Sequence, residues 1–456
     1  FIAVTDDSYY NPTELGPVEN QNLHGLSKAD MVIVTKDKYL SHSKEIAELH
    51  EKHDNMKVNV VTDRQIYNEF SSGCPDPSAI RDFVKMVYKR SMDNDSLKYL
   101  LLFGDGTYDN RECHTTDNLI TYQSKVSLNY SNSFVSDDFF GLLDQQDNTG
   151  GRLDGLIDIG VGRIPVDDAQ QAQNAVRKIR HYMESMDKGF WSNKLCFVAD
   201  DEDNNLHMRD ADKLAEFVDE NYPSFDLDKI YLDNYPQHTT STGELYPEVN
   251  KEIREKINNG VLLFNYTGHG GEHQLAHEKI FTEEDINSLI NFPKMPVFMT
   301  ATCEFTRWDA VDFTSAGEKV FLNPQGGAIA LFSTTRLVYA SLNYELNRAF
   351  YDFVFQKDEQ GKPYRLGDIV RYTKNNAGND DNKRNFSLIG DPALSLPLGD
   401  KKILTDSLLT NNSLSDTLQA LDKVSIKGHV ENYDGTVADG YTGKAFIRVK
   451  GKSEDI

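Results

Sequence analysis

VLLFNYTGHGGEHQLAHEKIFTEEDINSLINFPKMPVFMTATC, residues 261–303, contains two apolar runs that each lead to a reactive side chain. The first run (VLLF) leads to His269, which lies between two glycines, and the second (VFM) leads to Cys303. Between them, Thr282 is placed to cap a helix whose first turn is acidic, where the helix dipole favours negative charge. Two short buried strands joined by a helix predict a parallel βαβ unit.

Both reactive side chains would follow the carboxyl end of a strand. In a parallel sheet these ends share one edge, and open α/β sheets bind their ligands there. A thiol and an imidazole at that edge are the minimum set for cysteine nucleophilic catalysis. The amides of Gly270 and Cys303 are the predicted oxyanion donors, because both lie where a strand breaks into a loop. Taken separately, the glycines around His269 can indicate only a turn, and Cys303 can be only a small buried residue. Taken together at one sheet edge, the two residues favour catalysis.

A metal site is the alternative interpretation of this stretch. His269, His273 and His277 are four residues apart, a spacing that binds zinc on one face of a helix. Gly270 and Gly271 argue against a helix through His269, and the glutamate of an HExxH motif is absent. We therefore predict no metal here, and a polar loop at the rim of the cleft for His273 and His277.

The composition restricts the partners of the chain. Its 456 residues carry a formal net charge of −24, which argues against nucleic acid or anionic membrane surfaces as main partners. No apolar run approaches the ~18 residues of a membrane helix. Acidic loops at residues 105–110, 144–148 and 200–205 leave structural Ca²⁺ open, but none has EF-hand spacing and a solvated acidic surface is favoured. No cofactor is required.

The four cysteines are Cys74, Cys113, Cys196 and Cys303. Because there is no CxxC pair, a structural zinc site is not expected. Cys196 lies in an apolar strand and is predicted to be inert core. Cys74 and Cys113 lie in polar loops, and whether they pair depends on the redox state of the compartment.

The order of predicted elements indicates the domains. Strands and helices alternate in two series, which predicts an α/β fold of two tandem α/β/α subdomains with mostly parallel sheets, residues 27–187 and 188–400. The second carries the catalytic pair. Residues 1–26 are left unassigned, and residues 401–456 read as the start of a β-sandwich that the chain does not complete. Because the chain begins at Phe1 and not at Met, we expect a processed or excised piece.

The histidine motif also carries a family resemblance. NYTGHG (265–270), with a cysteine at the end of the next strand, resembles the gingipain family of cysteine peptidases, whose catalytic domain has a caspase-like fold. Three further segments are similar to family segments, namely LCFVADDED (195–203), IGVGRIPV (159–166) and IGDPALSL (389–396). The resemblance covers about residues 27–400 and implies two caspase-like halves, followed by an immunoglobulin-like region.

Other segments are similar to one branch of the family, the gingipain-like sortases of the bacterial type IX secretion system. They are FSSGCPDPSAIRDF (70–83), LLFGDGTYDNR (101–111) and SDDFFGLLD (136–144). A member of this branch would cut the C-terminal sorting domain off a secreted protein through a thioester at the catalytic cysteine. An amine of anionic lipopolysaccharide would then resolve the thioester. This implies a place on the bacterial outer membrane, facing outward, among other type IX components.

The resemblance also implies individual roles. Cys303 would be the nucleophile and His269 the general acid and base. An acidic residue after the LCFVA-like strand orients the histidine in this family, which indicates Asp201, with Asp200 as the competing choice. Arginine-specific members have a further acidic residue where this chain has His207, which argues against trypsin-like specificity and favours the sortase branch.

Alternatives remain at three points. The alignment crosses a loop of variable length, so Asp210 or Asp212 could take the position assigned to His207. The loop after the nucleophile carries Phe305 and Trp308, which are predicted substrate contacts with packing as the alternative. A secreted gingipain-like endopeptidase and a non-catalytic binding scaffold of caspase-like fold are the other functions, and the intact catalytic pair weighs against the scaffold.

Overall fold

The structure is a computed structural model of the chain. It describes most of the sequence in a series of segments, which are residues 16–90, 97–111, 118–125, 133–144, 153–184, 189–241, 243–378, 380–415, 417–419, 421–432, 434–443 and 447.

The described strands and helices alternate along most of the chain. The strands are β1 (Met31–Thr35), β2 (Val58–Thr62), β3 (Tyr99–Phe103), β4 (Gly160–Ile164), β5 (Lys194–Ala199), β6 (Asp226–Tyr231), β7 (His238–Thr240), β8 (Gly243–Leu245), β9 (Leu263–Thr267), β10 (Gly270–Gly271), β11 (Gln274–Leu275), β12 (Phe281–Thr282), β13 (Val297–Ala301), β14 (Ala330–Thr334), β15 (Phe386–Ile389), β16 (Lys401–Thr410), β17 (Ser413–Leu414) and β18 (Val424–Asn432). The helices are α1 (Leu40–Asp54), α2 (Asp63–Phe70), α3 (Pro77–Lys89), α4 (Ala169–Glu184), α5 (Glu202–Asn221), α6 (Pro247–Asn259), α7 (Glu283–Asn287), α8 (Ala316–Leu322), α9 (Ala340–Phe353) and α10 (Leu366–Asn376).

Ten strands form one continuous sheet in the order β2-β1-β3-β4-β15-β14-β13-β9-β5-β6. The first four are parallel to one another, and so are the last five. β15 joins the two sets, because it pairs antiparallel with β14 and parallel with β4. The mostly parallel α/β sheet confirms the predicted fold class. The halves run in opposite directions within one sheet, an arrangement that the sequence did not indicate, and the predicted boundary at 187–188 lies at residues outside the described part.

Local sequence signals explain several helix starts. Asp76 accepts a hydrogen bond from the Ser78 amide (2.8 Å) and Pro77 follows it at the first helical position of α3. Thr282 caps α7 in a capping box with Asp285, as predicted, although the helix is only five residues long. The remainder of the connection between β9 and β13 contains the small antiparallel sheet β10-β11-β12.

The core explains why the strand sequences are almost continuously apolar. β1, β3, β9, β13 and β14 are buried along their whole lengths, as expected for parallel strands covered on both faces. One hydrophobic cluster includes side chains from both halves, among them Ile33, Phe103, Phe264 and Phe298. The halves are therefore joined by a common core as well as by the sheet.

The segments at either end of the described chain are simpler. Residues 16–26 contain one turn of 3-10 helix at Leu23–Gly25. β17-β16-β18 form a separate antiparallel sheet, consistent with the predicted start of an immunoglobulin-like sandwich. Most of the predicted strand at residues 445–449 lies outside the described residues. None of the helices that the structure describes is long and apolar enough to cross a membrane.

Candidate active site

Two neighbouring strands bring the candidate catalytic residues to one edge of the sheet. β9 and β13 are parallel, with Leu263 opposite Val297 and Thr267 opposite Ala301. His269 and Cys303 each follow their strand end by two residues. The predicted pair of parallel strands ending near these residues is therefore confirmed, whereas the catalytic roles of the two side chains stay predictions.

The backbone around His269 is closely packed. Gly268 has φ +158°, and a Cβ there would lie 2.3 Å from the Asp200 Cβ. A Cβ at Gly270 would lie 2.5 Å from Oγ1 of Thr302, the residue before Cys303. The glycines thus let the histidine turn approach both the segment that carries Cys303 and the end of β5. In the part of the chain that the structure describes, the Cys303 amide has no backbone hydrogen-bond partner, which fits its predicted role as an oxyanion donor.

Buried Asp200 holds the backbone of this turn. One of its carboxylate oxygens accepts a hydrogen bond from the His269 amide (2.7 Å), and the other accepts from the Glu202 amide (3.0 Å). The Tyr266 hydroxyl donates to the His269 carbonyl (2.5 Å). Asp200 therefore fixes the histidine through its main chain.

The His269 ring faces a different set of groups. Its Nε2 lies 3.2 Å from Oδ2 of Asp203 and 3.4 Å from Oε2 of Glu202. The His277 ring stacks on it at 5.0 Å between centroids, and the His207 ring meets it edge-on at 5.1 Å. The imidazole thus lies between carboxylates and two other imidazoles.

The structure corrects the prediction that Asp201 orients His269. The Asp201 carboxylate accepts a hydrogen bond from the Tyr246 hydroxyl (2.6 Å), and it is Asp203 that meets the ring. Residues 203–205 have left-handed backbone conformations, with φ between 54° and 62°, at the start of α5. This turn redirects the Asp203 side chain toward the histidine. Left-handed non-glycine residues in succession are rare, so spacing alone did not reveal it.

His207 also differs from its predicted place in a substrate pocket. It is only 5 % exposed, and its Nε2 lies 3.3 Å from Oδ2 of Asp203. It therefore packs against His269. Of the alternatives for that position, Asp210 pairs with Lys213 (3.3 Å), and Asp212 is held by Lys229 and Tyr231 at the neighbouring strand β6.

The Cys303 thiol is half-buried beside the loop that follows β14. Its Sγ lies 3.7 Å from the Val338 carbonyl oxygen, to which it donates, and no hydrogen bond joins it to His269 in the described part of the chain. Burial raises the pKa of the Cys303 thiol; the hydrogen bond to Val338 partly offsets this, and the charge of Glu304 reinforces it. The resting sulfur is thus a thiol, so attack needs a proton acceptor.

The two aromatic residues predicted to touch substrate are packing residues in this structure. Phe305 and Trp308 are fully buried. The Arg163 guanidinium lies 4.2 Å from the Trp308 ring centroid, and Arg163 itself pairs with Asp137 through two hydrogen bonds (2.7 and 2.8 Å). The loop after Cys303 is thereby held against the first half, which corrects the predicted substrate contacts in favour of the packing alternative.

Several other predicted features have a definite place. His273 pairs with Glu283 (2.9 Å) and does not reach His269, whereas His277 does. Cys196 is buried and Cys74 is exposed, while Cys113 lies outside the described residues, so the pairing of Cys74 with Cys113 stays open. Structural Ca²⁺ in the acidic loops stays an open alternative to the favoured solvated acidic surface.

Sequence reasoning missed two residues at the imidazole, Glu202 and Asp203, and two at the neighbouring carboxylates Asp200 and Asp201, namely Tyr246 and Glu278. The segment DDED (200–203) was singled out, but its four carboxylates could not be ranked, because their directions depend on the left-handed turn. Tyr246 and Glu278 lie on other elements and carried no signal in the sequence.

The comparisons with known proteins agree with this fold. The profile of peptidase family C25 matches residues 24–397, and no curated protein sequence gives a significant match. The chain is similar to the Arg-specific cysteine proteinase gingipain R (RgpB), with a TM-score of 0.62, 16 % identity, and 92 % of this chain and 98 % of that chain covered. The complex of the RgpB pro- and mature domains from Porphyromonas gingivalis matches with a TM-score of 0.61 and 15 % identity, and the match covers 90 % of this chain and 94 % of that chain. Dimeric latent PorU from Porphyromonas gingivalis matches with a TM-score of 0.49 and 24 % identity, and the match covers 93 % of this chain and 35 % of that chain.

The likeness to the gingipain structures confirms the predicted fold, two caspase-like halves built on a mostly parallel sheet. The profile match extends from the 3-10 turn before β1 to the segment after β15 and so includes both halves and the His269–Cys303 edge. Since this is well over half of the chain, the protein belongs to peptidase family C25, the gingipain family of cysteine peptidases.

Proposed function

We propose that the chain is a cysteine endopeptidase in which Cys303 attacks a peptide carbonyl and His269 transfers the proton. The observation that carries this proposal is the in-register pairing of β9 with β13, which sets Thr267 opposite Ala301. Each reactive residue stands two positions beyond that pair. Because parallel strands keep this register across the sheet edge, both residues serve one cleft.

The first half of the reaction forms a thioester. His269 takes the proton of the Cys303 thiol as the sulfur attacks the carbonyl carbon. The amides of Gly270 and Cys303 stabilise the negative charge on the carbonyl oxygen, and loss of one such donor costs about 3 kcal/mol. The intermediate then collapses, the C–N bond breaks, and the leaving amine takes the proton from His269.

Two features of the resting site bear on this step. The thiol donates to Val338, so its side chain has to turn toward His269 when substrate arrives; long or absent catalytic hydrogen bonds are common in unliganded enzymes. Asp203, at 3.2 Å from the ring, takes the orienting role first assigned to Asp201 and stabilises the imidazolium formed during attack.

The second half of the reaction decides between two activities. If water resolves the thioester the enzyme is a peptidase, and if an amine resolves it the enzyme is a transpeptidase. We favour a sortase that removes the C-terminal sorting domain of type IX cargo and transfers the cargo to an amine of anionic lipopolysaccharide. The support is the resemblance of residues 70–83, 101–111 and 136–144 to that branch. The work would take place at the outer-membrane surface with other type IX components.

A secreted endopeptidase is the second candidate. It is favoured by the acidic surroundings of His269, where the partly exposed carboxylates of Glu202 and Asp203 would attract a basic substrate side chain. A non-catalytic scaffold is opposed by the presence of both members of the pair.

The decisive experiment uses Cys303→Ala and, as its matched control, Cys74→Ala, which removes an exposed thiol. Each chain is incubated with a cargo protein that carries its sorting domain, and release of the domain is followed by mass spectrometry. We expect release by wild type and by Cys74→Ala and none by Cys303→Ala. Cleavage at the wild-type rate by Cys303→Ala would end the enzyme proposal.

A second measurement separates the two activities. With an amine acceptor present, a transpeptidase yields the cargo–amine conjugate, whereas a peptidase yields only the hydrolysed product. A panel of arginyl and non-basic substrates tests specificity in parallel. Strong arginine preference without any conjugate would favour the secreted endopeptidase and contradict the interpretation of His207.

A further inference from the structure

We propose that His207, His269 and Asp203, completed by Glu202, form a binding site for a zinc-like divalent cation at the candidate catalytic histidine. The site draws its ligands from the turn after β9 and from the start of α5. It differs from the helical zinc site considered and rejected from the sequence, because His273 pairs with Glu283 and takes no part.

Three of the distances between the proposed ligand atoms are close to those around a tetrahedral ion. Bonds of about 2.0–2.1 Å at the tetrahedral angle put neighbouring ligand atoms about 3.3–3.4 Å apart. Oδ2 of Asp203 lies 3.2 Å from Nε2 of His269 and 3.3 Å from Nε2 of His207. Oε2 of Glu202 lies 3.4 Å from Nε2 of His269. Asp203 thus bridges the two imidazoles, and Glu202 approaches His269 from the same turn.

The two ring nitrogens have no other hydrogen-bond partner. Among the described residues, Nε2 of His207 and Nε2 of His269 are buried atoms without a hydrogen bond. The His207 residue as a whole is only 5 % exposed. Both approach Asp203 closely, but neither does so with hydrogen-bond geometry. A buried imidazole nitrogen without a proton partner is costly unless a ligand uses its lone pair.

The charge around these nitrogens favours a cation. Ligand atoms of Asp200, Asp201 and Glu278 lie within 4.8 Å of one another, and those of Asp200, His207 and His269 do so as well. Within the described ranges, no lysine or arginine forms an ion pair with these carboxylates. Burial and the neighbouring carboxylates raise the pKa of Glu278. Such uncompensated negative charge attracts divalent cations.

The donor atoms select the class of ion. Two imidazoles with carboxylate oxygens suit Zn²⁺ or Co²⁺, whereas Ca²⁺ prefers six or more oxygen ligands. Asp203 and Glu202 are partly exposed, so the ion can reach the site from solvent.

Occupation of this site would inhibit the proposed reaction. A metal bond at Nε2 of His269 replaces the contact by which Asp203 orients the ring, and it leaves the neutral imidazole with its proton on the other nitrogen, which then cannot accept the proton of the Cys303 thiol. This consequence rests on the proposed function, whereas metal binding itself does not.

The test measures metal binding in the full chain carrying Cys303→Ala, which removes the thiol as a competing ligand. Zn²⁺ is titrated calorimetrically, and Co²⁺ is followed by its visible absorption, which reports tetrahedral coordination. We expect one ion per chain. In this background, addition of His207→Gln or Asp203→Asn should weaken binding at least about tenfold. Addition of His273→Gln, a histidine outside the proposed ligand set, should leave binding unchanged.

Several results would overturn the site. One is metal binding that is as tight after His207→Gln and Asp203→Asn as before them. The others are loss of metal binding when Cys303→Ala removes the thiol, and displacement of Co²⁺ by equimolar Ca²⁺. If His207→Gln does not fold, as judged by circular dichroism, the exposed Asp203 variant decides the question. A wild-type chain that binds Zn²⁺ but cleaves no cargo would refute the proposed function and leave the site intact. A cleaving chain whose activity tolerates Zn²⁺ at saturation would refute only the inhibition.

Discussion

The buried contact between the two halves at His50 gives a pH-dependent stability that can be measured. His50, on α1, is fully buried and bonds through Nε2 to Asp391, after β15, and through Nδ1 to Asp54 (2.7 and 2.6 Å). Arg365 holds the other oxygen of Asp54 (2.9 Å). Because both ring nitrogens face carboxylates, both have to be donors, so the folded protein holds His50 as the imidazolium.

The size of the effect follows from the shift in pKa. Burial alone would lower the pKa of His50, but Asp391 and Asp54 outweigh burial and raise it from 6.5 to about 9. At about 1.4 kcal/mol for each pKa unit, the protonated contact contributes about 3 kcal/mol to the free energy of unfolding. A raised folded-state pKa means that this contribution is complete below about pH 6.5 and disappears as the pH rises through about 9.

The assay compares equilibrium urea unfolding of wild type, His50→Gln and His53→Gln between pH 6 and pH 10. His53 lies on the same helix but is partly exposed, at 3.2 Å from Glu184. We expect His50→Gln to be less stable than wild type at pH 6, with the gap narrowing by about 3 kcal/mol by pH 10. His53→Gln should follow the wild-type curve. A constant gap between His50→Gln and wild type would refute the assignment of a charged His50 in the folded state.

Three further outcomes follow from the site. Trp308→Ala removes a buried ring that packs on Arg163. We expect the free energy of unfolding to fall by roughly 3–5 kcal/mol, which is measured as a lower melting temperature. Unchanged stability would restore the prediction that Trp308 contacts substrate. Gly270→Ala places a Cβ 2.5 Å from Thr302 Oγ1. Because this contact displaces the turn that carries His269, we expect kcat/KM to fall about a hundredfold with little change in melting temperature. Retention of activity would remove Gly270 from the oxyanion site. Burial raises the pKa of the Cys303 thiol, so without substrate the rate of its alkylation by iodoacetamide should rise with pH at a higher midpoint than that of a free thiol. A midpoint below that of free cysteine would contradict the buried resting state.

Much of the fold follows from local sequence. Apolar runs such as those at β9 and β13 can be satisfied only as buried strands, and caps such as Thr282 mark where helices begin. The alternation of the two kinds of element then predicts a parallel sheet. Because parallel strands end at a common edge, His269 and Cys303 could be paired from the sequence before any distance was known.

Contacts between distant segments were decided only in three dimensions. The reversed direction of the two halves depends on β15, a four-residue strand whose partners lie far away in sequence. Trp308 looked like a loop aromatic because its partner Arg163 belongs to the other half.

The fold class, the approximate strand ends and the choice of Cys303 and His269 as candidates could all be read from local sequence, because hydrophobic periodicity and strand polarity are properties of short segments. Only the tertiary structure decided which carboxylate meets His269. Four acidic residues stand side by side at 200–203, and a left-handed turn in the next few residues sends Asp203 to the ring while Asp201 goes to Tyr246. Backbone direction within a loop depends on everything packed around it, and no local pattern encodes that.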